Sequence, residues 1–257
     1  MKPLAIAGGV FGLALTPLNP AILGAIFASG TVYLLIQSAK SQNKLEQAQI
    51  EVLRRLARAA EHKDGALAGH CERMARIAEA TGRALGWSDR QAEILYLAAK
   101  LHDVGKIGIP DSILQKPGAL TLEENELMRS HVWLGANLLA GDLGPVIEMA
   151  HDIALAHHEQ WDGSGYPQSM IGSEIPLAAR IAAIADVFDA LICKREYKEK
   201  WSADDGFDEI ERLSGTHFDP DVVAAFLRIR PEIERIVTQT ADPKVVDLQA
   251  YRTRKVV

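Results

Sequence analysis

From about residue 63 onward apolar residues recur every three or four positions, a period that admits helices and little else. Between Ala68 and Leu85, Met74, Ile77 and Ala78 share one face, and Asp89 to His102 repeats the pattern. Start signals fall where this period demands them. Thr121-Leu122-Glu123-Glu124 reads as a capping box opening a helix toward Leu139, and Asp219-Pro220 as an N-cap followed by a first-turn proline. The same reading places helices at about 145–158, 177–193, 203–213 and 220–237. Two long connections, Gly105 to Leu120 and Gln160 to Pro176, interrupt the helices, and long connections in compact domains are often functional. Ala, Leu and Glu dominate, and 6% aromatics with 11 prolines do not suggest a β-sandwich, so the fold class is all-α, a helical bundle.

The hydrophobic fraction, 48%, is concentrated before Lys40: no charged residue lies between Pro3 and Ile36. Thr16, Pro17, Asn19 and Pro20 divide this run, because a helix does not pass intact through two such prolines. The segments Leu4 to Leu15 and Ala21 to Ile36 are expected to form an N-terminal membrane hairpin or one broken span. Lys2 before the run and Lys40, Lys44, Arg54 and Arg55 after it place both flanks in the cytoplasm by the positive-inside rule. The rivals are a cleaved signal peptide or a buried helix, and no clean A-x-A site follows a short core. The expected layout is a membrane anchor over 1–38, a juxtamembrane helix over 39–62, a compact domain over 63–237 and a tail over 238–257. The expected location is the cytoplasmic membrane, with the compact domain in the cytoplasm. Leu45, Val52, Leu56 and Ala59 recur at helical spacing, so the juxtamembrane helix can pair with its copy in a homodimer or pack on the following domain.

A net charge of −6 removes any global basic footprint for DNA or RNA, so an anionic ligand needs a local positive site. Cys71 and Cys193 lie far apart with no CxxC, which argues for a reducing compartment and against a disulfide scaffold.

Chemistry gathers around His102-Asp103. An adjacent imidazole and carboxylate offer one nitrogen and two oxygens, so the Asp can bridge two cations while the His holds one. Alone, the pair also reads as a helix ending, with Gly105 as C-cap and His at the negative end of the dipole. His70, His131, His157-His158, Asp186 and, one turn later, Asp189 share helical or helix-end settings. One histidine on an apolar face is usually a satisfied core residue; this many with carboxylates point to metal. Imidazole mixed with carboxylate suits Fe, Mn or Zn rather than Mg or Ca. Lys106 reads either as a helix-end cation or as a point charge for a phosphate.

The motifs carry a family resemblance. His102-Asp103-Val104-Gly105-Lys106-Ile107-Gly108-Ile109-Pro110 leads, followed by His131 with Gly135-Ala136. Next come His157-His158-Glu159-Gln160-Trp161-Asp162-Gly163-Ser164-Gly165-Tyr166-Pro167, Ala185-Asp186-Val187-Phe188-Asp189-Ala190-Leu191 and Gly215-Thr216-His217-Phe218-Asp219-Pro220. Together with His70 they resemble the HD superfamily of metal-dependent phosphohydrolases, and within it the HD-GYP branch, over about residues 63–227.

The resemblance implies an HD-type helical bundle holding two divalent metals, with Fe or Mn expected. His70, His102, Asp103 and Asp186 would hold one and His131, His157 and His158 the other, Asp103 bridging. Such a pair, typically about 3.5–4 Å apart, activates a water and clamps an in-line displacement at phosphorus. It implies hydrolysis of cyclic di-GMP to pGpG, with further cleavage to GMP left open, and Asp103 and Lys106 catalytic. Lys106, Gly165, Tyr166, Asp189, Arg195 and Lys198 would contact substrate. Two alternatives are a receptor that binds the dinucleotide or a diguanylate cyclase partner without turnover, and an enzyme for another cyclic dinucleotide. Two departures matter. Members with a third metal carry a Glu four residues before the first ligand His, where this chain has Ala66, so two metals are expected. Glu196 replaces a commoner Pro in Lys194-Arg195-Glu196-Tyr197-Lys198, which adds negative charge beside the expected substrate cations.

Overall fold

The computed structural model describes residues 20–64, 69–141, 144–193 and 201–239. Among them the chain is helical, and one isolated bridge pairs Ser214 with Phe218. In order come α1 (Pro20–Asp64), α2 (His70–Ala84), α3 (Asp89–Ala99), a 3-10 turn (Val104–Gly108), α4 (Asp111–Leu114), α5 (Leu122–Arg129), α6 (His131–Leu138) and α7 (Pro145–Ala156). A second 3-10 turn (Gly172–Glu174), α8 (Leu177–Ile192), α9 (Ala203–Arg212), α10 (Pro220–Arg228) and α11 (Arg230–Gln239) complete it. Contacts divide the chain into Met1–Gln49 and Ile50–Val257.

The expected membrane anchor and cytoplasmic-membrane location need correction. Among the described residues no helix is long and apolar enough to cross a membrane. The apolar stretch of α1, Pro20 to Ile36, spans only roughly 25 Å at 1.5 Å per residue, short of the hydrocarbon thickness of about 30 Å. Beyond it the same helix continues through Gln37, Lys40, Lys44 and Glu51. The other expected segment, Leu4 to Leu15, lies outside the described residues, as does the tail beyond Gln239.

Local signals behave as the sequence predicts where they are self-contained. Thr121 and Glu124 form their reciprocal capping box, and Asp219 accepts from the Asp221 amide at 2.8 Å. Two expected helices are each two. The stretch after Thr121 breaks at Ser130, so that His131 opens a new helix, and the stretch after Pro220 breaks at Ile229. Pro231 accounts for the second break, since its ring and missing N–H oppose helical continuation through the preceding turn.

α2 packs on α3 and α8, and α7 lies against α3, α6 and α8. Met74, Ile77, Leu95, Ile153, Ile181, Ile184 and Phe188 are buried between them, each stabilising the fold by roughly 1.5–3 kcal/mol. Phe188, Phe207 and Phe226 join α8, α9 and α10, with ring centroids 4.7 to 5.5 Å apart. Ala57 and Ala60, from the last turns of α1, are buried in the same core. One close approach decides the site's geometry. A Cβ on Gly105 would fall 1.9 Å from the His131 carbonyl oxygen and 2.4 Å from the Gly135 amide. Glycine alone lets the turn after His102-Asp103 rest on the backbone of α6.

Candidate metal centre

Five places in the bundle deliver the side chains. His70 opens α2, His102 and Asp103 lie in the turns after α3, His131 opens α6, His157 and His158 end α7, and Asp186 sits within α8. They form two groups, Asp103 with His131, His157 and His158, and His70 with His102 and Asp186; within each group the candidate ligand atoms lie within 4.8 Å of one another.

Asp103 joins the groups. Its Oδ2 lies 3.1 Å from His102 Nε2, while its Oδ1 lies 3.4 Å from His131 Nε2 and 3.8 Å from His157 Nε2. His70 Nε2 lies 3.3 Å from Asp186 Oδ1, and His102 Nε2 lies 4.0 Å from that oxygen. One carboxylate thus presents one oxygen to each group.

The imidazoles are oriented from behind. Nδ1 of His102 donates to Ala99 O at 3.0 Å, that of His131 to Met128 O at 2.8 Å, and that of His157 to Ile153 O at 2.9 Å. A carbonyl only accepts, so each Nδ1 carries the hydrogen and each Nε2 keeps its lone pair for the site. His70 is held instead by a carboxylate, its Nδ1 lying 2.7 Å from Asp189 Oδ2. Nε2 of His102, His131 and His157 and Oδ1 of Asp103 are buried with no hydrogen-bond partner among protein groups. Leaving such a group unsatisfied costs about 1–3 kcal/mol. A cation is the partner that satisfies three lone-pair nitrogens and a carboxylate oxygen at once, so the donor set fits metal.

The two groups differ electrostatically. In the histidine-rich group burial, then neighbouring imidazoles, lower the pKa of His157 well below its usual value, and burial and His131 lower that of His158 to about 4. Burial likewise lowers that of His131. These rings are neutral near pH 7. In the other group burial opposes the charge on His70, yet hydrogen bonds to Asp186 and Asp189 raise its pKa to about 10. Asp103 stays ionised in spite of its burial, held well below the usual carboxylate range by His102 and Lys106.

The residues expected at the substrate fall in several places. Lys106 places its amine 2.7 Å from Asp103 Oδ2, at the edge of the candidate centre. Tyr166 stacks on His158, centroids 4.8 Å apart, and burial pushes its phenol up to about 12, so it keeps its proton. Gly165 is packed tightly: a Cβ there would lie 2.3 Å from the Gln160 amide, so its role is to let the loop fold back on itself. Asp189, expected at the substrate, lies one turn beyond Asp186 on α8. It is buried behind His70 and bonded to Arg73 Nε at 2.7 Å. Arg195, Lys198 and Glu196 lie outside the described residues, as does Ala66, on which the expectation of two metals rests.

Three residues escaped the sequence reading. Arg73, buried and one turn beyond His70, fixes Asp189; its signal was a charge on the apolar stripe of α2. Glu159, buried next to His158, accepts from the amides of Gln168 at 2.6 Å and Met170 at 3.1 Å and so holds the loop bearing Tyr166. Arg129, exposed at the end of α5, places its guanidinium 4.6 Å from the centre of the Tyr166 ring, a cation at the mouth with no distinguishing sequence signal.

Comparisons with known proteins agree with this geometry. The HD domain profile matches residues 54–222. The chain is 46% identical over 199 residues to the cyclic di-GMP phosphodiesterase response regulator RpfG of Xanthomonas campestris, covering 77% of this chain and 53% of that protein. It is 40% identical over 183 residues to 3'3'-cGAMP-specific phosphodiesterase 2 of Vibrio cholerae, covering 71% and 35%. The crystal structure of a cyclic GMP-AMP specific phosphodiesterase from V. cholerae shares the fold, with a TM-score of 0.55 at 21% identity over 79% of this chain and 52% of that one. The chain spans about half the length of the curated relatives it matches first.

Proposed function

Because the chain belongs to the HD domain family, in its HD-GYP branch, we propose that it is a metal-dependent phosphodiesterase that opens cyclic di-GMP to pGpG and cleaves this on to GMP. The observation that carries the reading is Asp103, whose two oxygens face two separate groups of ligand atoms. His70, His102, Asp103 and Asp186 would hold one divalent ion and Asp103, His131, His157 and His158 a second. Their mixture of nitrogen and oxygen donors favours Fe or Mn. When bound, such a pair supplies Lewis acidity and a water of lowered pKa.

The chain's own residues prepare the rest. Asp103 and Asp186 bring the negative charge that offsets two cations. Lys106 is placed to meet a non-bridging phosphate oxygen as a point charge, and the protonated phenol of Tyr166 can donate to the substrate. Arg129, beside that ring, adds positive charge at the mouth. Asp189 and Arg73 act one layer back by fixing His70. The catalytic unit in this reading is 63–237. A second copy of the chain, or a diguanylate cyclase, is the partner proposed for the exposed Leu45 and Val52 of α1.

The test is turnover by protein purified anaerobically and loaded with Fe or Mn. Cyclic di-GMP should yield pGpG, and Lys106→Ala should keep the metal and lose rate. No product from demonstrably metal-loaded protein would defeat the enzyme reading and leave a receptor. Faster cleavage of 3'3'-cGAMP, the substrate named for one relative, would keep the enzyme and change its substrate.

A further inference from the structure

The last turn of α1 reaches into the catalytic machinery through a residue that the metal chemistry does not use. Lys63 Nζ donates to the carbonyl oxygens of Ile107 at 2.6 Å and Ile109 at 2.8 Å, and lies 3.5 Å from Asp111 Oδ1. Both hydrogen bonds go to backbone groups on the turn that carries Lys106, and the Asp111 carboxylate adds an ion pair. Two turns of α1 earlier Ala57 is buried in the core, as is Ala60, so the helix end is itself anchored. Glu61, beside Lys63, accepts from the Cys71 amide at 3.3 Å, next to His70. The final turn of α1 therefore touches both the start of α2 and the turn after α3.

We propose that Lys63 is a positioning residue: it ties the end of α1 to the Val104–Ile109 turn and so fixes where Lys106 presents its amine. Hydrogen bonds from a charged donor are about twice as strong as neutral ones, and these two hold the far end of the turn, beyond the point where Gly105 rests on α6. 3-10 bonds close its two ends, Lys106 N to Asp103 O at 3.0 Å and Ile109 N to Lys106 O at 3.1 Å. Asp103 does not depend on Lys63, because His102 is pinned to Ala99 and Gly105 rests on α6. Loss of Lys63 thus loosens the phosphate contact and spares the metal ligands. A shift of the last turn of α1 would likewise move the turn bearing Lys106, which gives an input on that helix a mechanical route to the rate.

The inference rests on the phosphodiesterase reading, and the experiment separates the two. In metal-loaded protein with cyclic di-GMP, Lys63→Met should lower kcat about tenfold, since small misplacements of positioned groups cost that much or more. Metal content per chain should not change, and Lys63→Arg should restore most of the rate. Placed on Lys106→Ala, Lys63→Met should cause no further loss, because the two act as one unit. Amide hydrogen exchange should quicken over residues 104–109 and stay constant over α8. An unchanged kcat, the same fold loss in both backgrounds, or unaltered exchange at 104–109 would overturn the role of Lys63. Absence of turnover in the parent protein would instead defeat the phosphodiesterase reading, and the exchange measurement would still decide whether Lys63 holds the turn.

Discussion

The two halves of the candidate centre are built on different principles. Asp103, His131, His157 and His158 gather imidazoles that burial keeps neutral, and two of these rings are oriented by backbone carbonyls, His131 by α5 and His157 by α7. His70, His102 and Asp186 gather carboxylate charge, and His70 is steered by a side chain, Asp189, from another helix. The first half is ready to accept a cation as it folds. The second must release a proton from His70, which sits between two carboxylates. Backbone orientation cannot be mutated away, whereas side-chain orientation can, so the halves should differ in how easily they are disabled.

Asp103→Ala removes what they share and should have the largest effect. Both ions should be lost, with a fall in turnover of at least about a thousandfold; retention of one tightly held ion, counted per chain, would show that the halves are independent. Gly105→Ala comes next, because its methyl group cannot occupy the space between the turn and α6. We expect a loss of about 2 kcal/mol or more in urea unfolding, together with weakened metal at both halves. Asp189→Asn should act on one half only, weakening the ion at His70 by roughly 10- to 100-fold while the histidine-rich half keeps its affinity. Equal loss at both, read by metal titration, would refute the distinction.

The smallest effect is on the stability of the metal-free protein against pH. His158, lowered from 6.5 to about 4 in the fold, leaves the folded chain with fewer protons than the unfolded one in that range. Stability therefore falls as pH drops from 6.5 toward 4. His70, raised from 6.5 to about 10, acts in the opposite sense: its contribution is complete below 6.5 and lost as pH climbs toward 10. In urea-midpoint profiles with chelator, His158→Gln should flatten the acid limb and His70→Gln the alkaline one.

How much of this was legible in the sequence depends on how local each signal is. Thr121-Glu124 and Asp219-Pro220 encode their helix starts within four residues, and both starts form. The side chains of the centre could be picked out because His102-Asp103 and His157-His158 are adjacent pairs set in distinctive loops. Asp189 was harder to place for the opposite reason. One turn from Asp186 on α8 it could face substrate or interior, and the choice is made by Arg73, 116 residues away. The break at Ser130 that turns His131 inward likewise has no punctuating residue of its own. The charge-free run misled because the lack of charge was read as a span, whereas among the described residues no helix is long and apolar enough to cross a membrane and α1 turns polar after Ile36.

Four buried atoms of the centre find no partner among protein groups. A cation that satisfies them binds the folded chain and not the unfolded one, and so stabilises folding by an amount that rises with the logarithm of its free concentration above its dissociation constant. In a cell, proteases clear chains that open often. The abundance of this protein would then track the supply of transition metal, so that a cell starved of the ion would lose the protein itself as well as its activity.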